Sequence, residues 1–126
     1  MISDTILRIT DAVYENAFPF PHKSLHVSLI LSGKSILAVG TNMDKTHPKI
    51  REHGYPGYSA MHSELHAYSK LNGYLRKDDA LILVNARYSK TGILGMSKPC
   101  KYCHNWCAFI FQEIYYTDQS GVLVKL

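Results

Sequence analysis

The sequence lacks the features that place a chain in a membrane or outside the cell. No segment approaches the run of about 18 apolar residues that a membrane-spanning helix needs. The first residues lack the basic start and the apolar stretch of a secretory signal peptide. Cysteine is scarce, with three residues in the chain, so a disulfide-rich extracellular scaffold is excluded. We therefore expect a cytoplasmic protein that does not contact a membrane.

The three cysteines, Cys100, Cys103 and Cys107, lie within eight residues of one another. Because they are so close in the chain, no disulfide between them can link distant parts of the fold. An odd and clustered set of thiols favours metal binding or thiolate chemistry.

The basic residues that give the chain its net charge of +4 are concentrated around this cysteine cluster. Residues 1–40 and residues 62–86 each carry three basic and three acidic side chains. Residues 87–105 contain no acid and four bases, which are Arg87, Lys90, Lys98 and Lys101. Such a segment is typical of a solvated surface loop, but it also suits an anionic ligand such as a phosphate ester. The sequence leaves both interpretations open.

Hydrophobic periodicity predicts one domain over residues 1–126, with three helices and five strands. The predicted order is helix, strand, strand, helix, strand, helix, strand, strand. The predicted helices span residues 3–17, 60–72 and 99–111. The predicted strands span residues 25–32, 35–40, 80–86, 114–117 and 122–125. Two long irregular segments, residues 41–59 and 87–98, precede the second and third helices.

This order predicts an α/β fold in three layers, with a mixed five-stranded sheet and helices on both of its faces. The connection between the last two strands has about four residues, which is too short for a parallel crossover. We therefore expect those two strands to be antiparallel.

Two short motifs stand at the starts of the second and third predicted helices. Residues 62–64 read His-Ser-Glu, and residues 99–103 read Pro-Cys-Lys-Tyr-Cys. A catalytic zinc ion usually has three protein ligands and keeps one position for water. Cys100 and Cys103 are three residues apart, so one helical turn can direct both sulfurs to a single ion. A helix N-terminus also favours the thiolate form that binds metal.

We predict from this pattern a Zn²⁺ site formed by His62, Cys100 and Cys103, with Glu64 beside it as the catalytic residue. Zinc lowers the pKa of a bound water, which then acts as the nucleophile. Glu64 is placed to take the proton of that water and to return it to the product. This chemistry suits the replacement of a ring amino group by oxygen, with release of ammonia.

Taken together, the two motifs resemble the H-x-E and P-C-x-x-C signature of the cytidine deaminase superfamily of zinc enzymes. The predicted order of helices and strands is also similar to that of the superfamily, so the resemblance covers nearly the whole chain. It implies the three-layer deaminase fold and the hydrolytic deamination of an aminated nucleobase. It favours cytosine, converted to uracil, over adenine.

The resemblance implies substrate contacts from three further residues. Asn42, at the end of the second predicted strand, matches an asparagine that contacts the sugar or the base. Ser63 matches a position whose backbone binds the base, and it replaces the usual alanine, so we expect little change from this small side chain. Ser97 matches a position whose carbonyl accepts a hydrogen bond from the exocyclic amine.

The resemblance draws on two branches of the superfamily. The short C-terminal hairpin resembles the enzymes that act on free nucleosides, whereas those enzymes usually have cysteine where this chain has His62. We expect a nucleoside or nucleotide substrate, because the chain is short and has a basic segment near the motif. The alternative is a deaminase of single-stranded DNA or RNA. The resemblance also makes a homo-oligomer plausible.

Several residues admit a second interpretation. Cys107 can serve as the fourth ligand of a structural zinc in a non-catalytic nucleic-acid-binding protein, but we favour a buried helix position for it. His66 follows His62 at a spacing that can also chelate zinc, and we expect it instead to lie on the helix surface or to support the site from behind the ligands. Four aromatic residues are candidates for stacking on a base or for the core: Tyr55, Tyr58, Tyr88 and Trp106.

Overall fold

A mixed β-sheet forms the middle layer of the protein. The computed structural model describes residues 4–20, 23–43, 49–56, 60–71 and 80–126. The strands are β1 (Ser24–Ser32), β2 (Ser35–Thr41), β3 (Leu81–Ser89), β4 (Leu94–Gly95), β5 (Glu113–Thr117) and β6 (Leu123–Lys125). Five of them lie in the order β2-β1-β3-β5-β6, and the short β4 also pairs with β3.

The directions of the strands confirm the predicted mixed sheet. β1 runs antiparallel to both β2 and β3, whereas β3 and β5 are parallel. The final pair, β5 and β6, is antiparallel as its short connection predicts.

Helices cover both faces of the sheet, and this confirms the α/β architecture. The helices are α1 (Asp4–Ala17), α2 (Lys49–Glu52), α3 (Ser63–Ser69) and α4 (Lys101–Ile110). α1 packs on one face, where it contacts β1 and β3. α3 and α4 contribute to the core on the opposite face. Among the described residues, no helix has the length and apolar character needed to cross a membrane.

The alternation of side chains along β1 explains the two cores. Val27, Leu29 and Leu31 belong to the core beneath α1. Ile30 belongs to the core beneath α3 and α4, and Ser28 contacts α3 on that side. Successive strand residues point to opposite faces, so one strand contributes to both cores.

The structure corrects the predicted irregular segment at residues 87–98. β3 continues to Ser89, and a tight turn returns the chain into β4, so the sheet has six strands where five were predicted. In the turn, the Ser89 N–H donates to the Ile93 carbonyl at 2.9 Å, and Gly92 has a φ of +82°. The predicted strand stopped at the end of the apolar run, whereas β3 continues through the exposed Arg87.

The other boundaries differ by a few residues. α2 lies in a segment predicted to be irregular. The second predicted helix, residues 60–72, is observed as α3 and begins at Ser63, while Asn72 and Gly73, which were predicted to end it, lie outside the described residues.

Gly40 allows α3 to lie close against β2. A Cβ atom at this position would lie 2.3 Å from the Ala67 nitrogen and 2.4 Å from the Ser63 oxygen. Any side chain larger than hydrogen would therefore push the helix away from the sheet. The close approach places the start of α3, which carries the predicted motif, directly over the strands.

Candidate functional site

The predicted metal ligands stand at the starts of two helices. His62 is the N-cap of α3 and Cys100 is the N-cap of α4, and both have extended backbones. Neither side chain caps its own helix, so each can point toward a ligand. Because Cys100 is extended, α4 begins at Lys101, and Pro99 precedes the helix instead of forming its first turn.

The two helix starts bring three metal-binding atoms together. His62 Nδ1 lies 3.6 Å from Cys100 Sγ and 3.4 Å from Cys103 Sγ. The three donor atoms all lie within 4.8 Å of one another. In a tetrahedral zinc site, bond lengths of about 2.0–2.1 Å to nitrogen and 2.3 Å to sulfur put these atoms about 3.6 Å apart. The three residues therefore fit a tetrahedral metal ion in the arrangement that the structure has.

The two thiols of this group have opposite acidities. A hydrogen bond from the Cys103 side chain lowers the pKa of Cys100 to about 3, and the His62 ring acts in the same direction. The same hydrogen bond and burial raise the pKa of Cys103. The hydrogen bond to Cys100 also raises the pKa of His62. A metal ion binds cysteine as the thiolate, so its binding here would release thiol protons.

Cys103 has a buried partner outside the metal group. The Tyr55 hydroxyl lies 2.6 Å from Cys103 Sγ and accepts a hydrogen bond from Trp106 Nε1 at 2.9 Å. Burial is the main cause that raises the pKa of Tyr55, so the phenol keeps its proton beside the sulfur. Contacts of this kind orient a metal ligand.

Glu64 is buried beside the metal group, with 6 % of its surface exposed. Its Oε2 accepts a hydrogen bond from Asn85 Nδ2 at 3.1 Å, and its Oε1 lies 3.2 Å from the Ser63 hydroxyl. Asn85 lies on β3 directly opposite Ser28 of β1, and its Oδ1 accepts a hydrogen bond from Ser28 Oγ at 2.7 Å. A buried carboxylate needs such partners, because desolvation without them costs several kcal/mol.

The protons of this cluster can be assigned. Asn85 uses both amide hydrogens, one on Glu64 and the other on the Ser97 carbonyl at 3.3 Å. Since Ser28 donates its only hydrogen to Asn85, it must accept from Ser63, whose hydroxyl is 2.8 Å away. The single hydrogen of Ser63 is then shared with the longer contact to Glu64. Oε1 is therefore the less strongly held of the two oxygens of Glu64.

Ser97 is fixed between two strands. Its N–H donates to the Thr117 carbonyl at 2.8 Å, and its hydroxyl donates to the Asn85 carbonyl at 2.9 Å. The Thr117 N–H donates back to Ser97 Oγ at 2.7 Å. The Ser97 carbonyl, which the resemblance assigns to the substrate amine, is thus held in one position beside Glu64 and Asn85.

Asn42 links the end of β2 to β1. Its Oδ1 accepts a hydrogen bond from the His26 N–H at 2.9 Å, and its Nδ2 donates to the Ser24 carbonyl at 3.3 Å. These two bonds fix the orientation of the amide. A second hydrogen on Nδ2 leaves a donor in addition to the one used by Ser24.

One cavity of about 360 Å³ joins these elements. It is lined by all of the predicted site residues except Cys103, which is buried behind the other ligands. Its lining residues are His26, Asn42, Met43, Ala60, Met61, His62, Ser63, Glu64, Ser97, Lys98 and Cys100. Glu64 is the only acid among these described residues, and none of them is Phe, Tyr or Trp.

The residues with a second interpretation do not join the metal group within the described part of the chain. Cys107 is fully buried in the core beneath α3 and α4. His66 Nδ1 accepts a hydrogen bond from the Thr41 N–H at 3.0 Å, which ties α3 to β2. Of the four aromatic candidates, Tyr55, Tyr88 and Trp106 are buried, and Tyr58 lies outside the described residues.

Sequence reasoning missed Ser28 and Asn85, the two strand residues that hold Glu64. Asn85 interrupts the apolar run of residues 80–86, and a polar residue in a strand that is buried on both faces is itself a signal. Ser28 gave no such signal, because it follows the alternation of polar and apolar residues in the first part of β1. Only the register between β1 and β3 identifies it.

Comparison with known proteins does not identify a family, since no family model, no curated protein and no solved structure matches this chain. The functional assignment therefore rests on the site. That site consists of a His-Cys-Cys group able to bind a metal ion and a buried carboxylate held in the adjoining cavity.

Proposed function

We propose that this protein is a zinc-dependent hydrolase that deaminates a nucleobase, with cytosine as the favoured base. The observation that carries the proposal is the position of Glu64, which lines the same cavity as His62 and Cys100. A structural zinc site is closed by four protein ligands. In the described part of the chain three donors converge, and a buried carboxylate lies beside them.

Each residue of the site then has a role in the reaction. His62, Cys100 and Cys103 would hold the zinc ion, which would supply a water nucleophile of near-neutral pKa. One C–O bond forms at the ring carbon and one C–N bond breaks, so that one water is consumed and one ammonia is released. Glu64 accepts the proton of the water at Oε1 and donates it to the departing amino group. The amide of Asn85 holds Oε2 throughout and prevents rotation of the carboxylate.

The remaining cavity residues position the base in this proposal. The Ser97 carbonyl accepts a hydrogen bond from the exocyclic amine, and the backbone of Ser63 contacts the ring. Asn42 contacts the sugar or the base through its second amide hydrogen. A volume of about 360 Å³ agrees with binding sites for small molecules, which occupy about 300–1,000 Å³.

The structure also gives the Ser63 hydroxyl two partners that an alanine would lack. Its replacement of the usual alanine therefore adds a contact to Glu64. We still predict that activity depends little on this contact.

The decisive experiment is an ammonia-release assay on the zinc-loaded protein. The substrates are cytidine, deoxycytidine, their monophosphates, adenosine, and short single-stranded DNA and RNA. We expect Glu64→Gln to retain zinc and thermal stability and to lose about 10²–10⁴-fold in kcat, which is the usual contribution of general acid–base catalysis.

The matched control is Glu113→Gln, which neutralises a carboxylate of β5 that is paired with Lys125. It should leave kcat unchanged. Loss of zinc or of folding in Glu64→Gln would refute the role given to Glu64. A zinc-loaded wild-type protein that is inactive on every substrate would instead support a non-catalytic zinc protein.

A further inference from the structure

The face of the sheet that carries the site changes character along the paired strands β1 and β3. Successive cross-strand pairs are apolar, then polar, then basic: Ile30 with Leu83, Ser28 with Asn85, and His26 with Arg87. The apolar pair belongs to the core, and the polar pair holds Glu64. The basic pair comes next along the strands, and His26 of this pair lines the cavity.

The distance between the polar and the basic pair follows from strand geometry. Two residues along a strand span about 6.6 Å, and their side chains share one face of the sheet. The basic pair therefore stands one step outward from the amide that holds Glu64. If the base of a nucleotide lies against Glu64, its sugar and then its phosphate extend away from the base. A basic group one step along the strands can therefore meet the phosphate.

Arg87 is oriented but not neutralised. Its Nε donates a hydrogen bond to Ser24 Oγ at 3.2 Å, and its side chain is exposed. No carboxylate pairs with it among the residues that the structure describes. A guanidinium held by one hydrogen bond retains donors for a phosphate, which it binds in a planar and bidentate manner.

Two basic groups line the cavity itself. His26, the cross-strand partner of Arg87, is one of them. Lys98 also lines the cavity, directly after Ser97, and its side chain is exposed. Clustered basic groups around a cavity raise the local concentration of anions.

We propose that His26, Arg87 and Lys98 form a subsite for the phosphate of a nucleoside monophosphate. The inference rests on the proposed deamination and names its substrate class. A mononucleotide is favoured over a nucleic-acid strand, because His26 and Lys98 line one cavity of about 360 Å³ together with Glu64, and this is the size of a small-molecule site.

The subsite can be tested by binding alone. Calorimetry measures the affinity of cytidine monophosphate and of cytidine for zinc-loaded Glu64→Gln protein, in which turnover is suppressed. Adding Arg87→Gln or Lys98→Gln should weaken nucleotide binding by about 10–100-fold, as expected for lost charge-assisted hydrogen bonds. Cytidine binding should be unchanged.

The control is Lys34→Gln, which removes the same charge from the exposed turn between β1 and β2, at the other end of β1. It should affect neither ligand. Because the Lys98 side chain is exposed and lies outside helices and strands, its variant checks the result if Arg87→Gln proves unstable. Equal loss of nucleotide and nucleoside binding, or no loss of either, would overturn the subsite.

Two outcomes separate this inference from the proposed function. If nucleotide binding depends on Arg87 but the wild-type protein deaminates nothing, the subsite stands and the deaminase proposal fails. If the protein deaminates only single strands, and binding falls steeply with salt, several phosphodiesters are contacted and the mononucleotide assignment is wrong. If cytidine and its monophosphate are deaminated with equal kcat/KM, deamination stands and the phosphate subsite fails.

Discussion

The two faces of the sheet each bury a polar cluster, and the clusters differ in what lies beyond them. On the face covered by α1, the Tyr88 hydroxyl lies 2.7 Å from Thr10 Oγ1 and donates a hydrogen bond to the Asp11 carboxylate. On the opposite face, Asn85 holds Glu64. Tyr88 and Asn85 are three residues apart on the same strand, so they face opposite sides.

The α1 cluster docks a helix on the sheet, whereas the other cluster adjoins a cavity. Burial, together with the hydrogen bond to Asp11, raises the pKa of Tyr88, so the phenol stays neutral and serves to dock the helix. Apolar residues of the core beneath α1 surround it. The cluster around Asn85 instead ends at Glu64, in a cavity beside a metal-binding group. A buried polar cluster thus points to function when it adjoins space for a ligand and to stability when it does not.

The largest expected effect is a difference between Cys103 and Cys107, two buried cysteines of α4. Cys103→Ala should lose the metal and all measurable activity, because it removes a donor of the three-residue group. Cys107→Ala should keep both and lose about 1–2 kcal/mol of stability, as for other small truncations in a core. Metal content by mass spectrometry, ammonia release and thermal melting measure the three quantities. A metal-free Cys107→Ala protein would reinstate Cys107 as a structural ligand.

Asn85→Asp should produce the next largest effect. It replaces the amide that donates to Glu64 with a carboxyl of the same shape, which repels the Glu64 carboxylate or competes for its proton. We expect kcat to fall by about 10–100-fold, with zinc retained and a smaller change in KM. The control is Asn105→Asp, the same substitution at an exposed position of α4. If kcat/KM fell only through KM, Asn85 would contact the substrate instead of positioning Glu64.

The smallest effect on catalysis should come from the cluster beneath α1. Tyr88→Phe removes the hydroxyl shared by Thr10 and Asp11 and should lower the free energy of unfolding by about 1–2 kcal/mol, measured by urea denaturation. Activity per folded molecule should not change, because the α1 face does not reach the cavity. A loss of kcat as large as that of Asn85→Asp would show that the two faces are coupled and would break the comparison.

Much of the fold could be predicted because local patterns and long-range pairing agree. The alternation in β1 and the periodicity of α1 each describe one amphipathic surface, and each is buried as expected. β4 was missed because its pairing depends on β3 continuing past an exposed Arg87. A two-residue strand carries too little alternation to be detected in a sequence.

The candidate site likewise combines local patterns, which could be predicted, with long-range contacts, which could not. The spacing of Cys100 and Cys103 within one turn, and of His62 and Glu64 at one helix start, is local and could be read directly. The Asn85 amide could not be assigned to Glu64, since the two are 21 residues apart and meet only through the packing of α3 on the sheet.

The sequence by itself determined which chemical groups are present and which of them share a turn: two thiols on one helix, and an imidazole and a carboxylate on another. Only the tertiary structure decided that the two helix starts meet, with His62 and Cys100 brought together across 38 residues. It also decided that Ser28 stands opposite Asn85, and His26 opposite Arg87. The reason is physical: strand register and helix docking are set by burial and by long-range hydrogen bonds, and a shift of one residue would turn every one of these side chains to the other face.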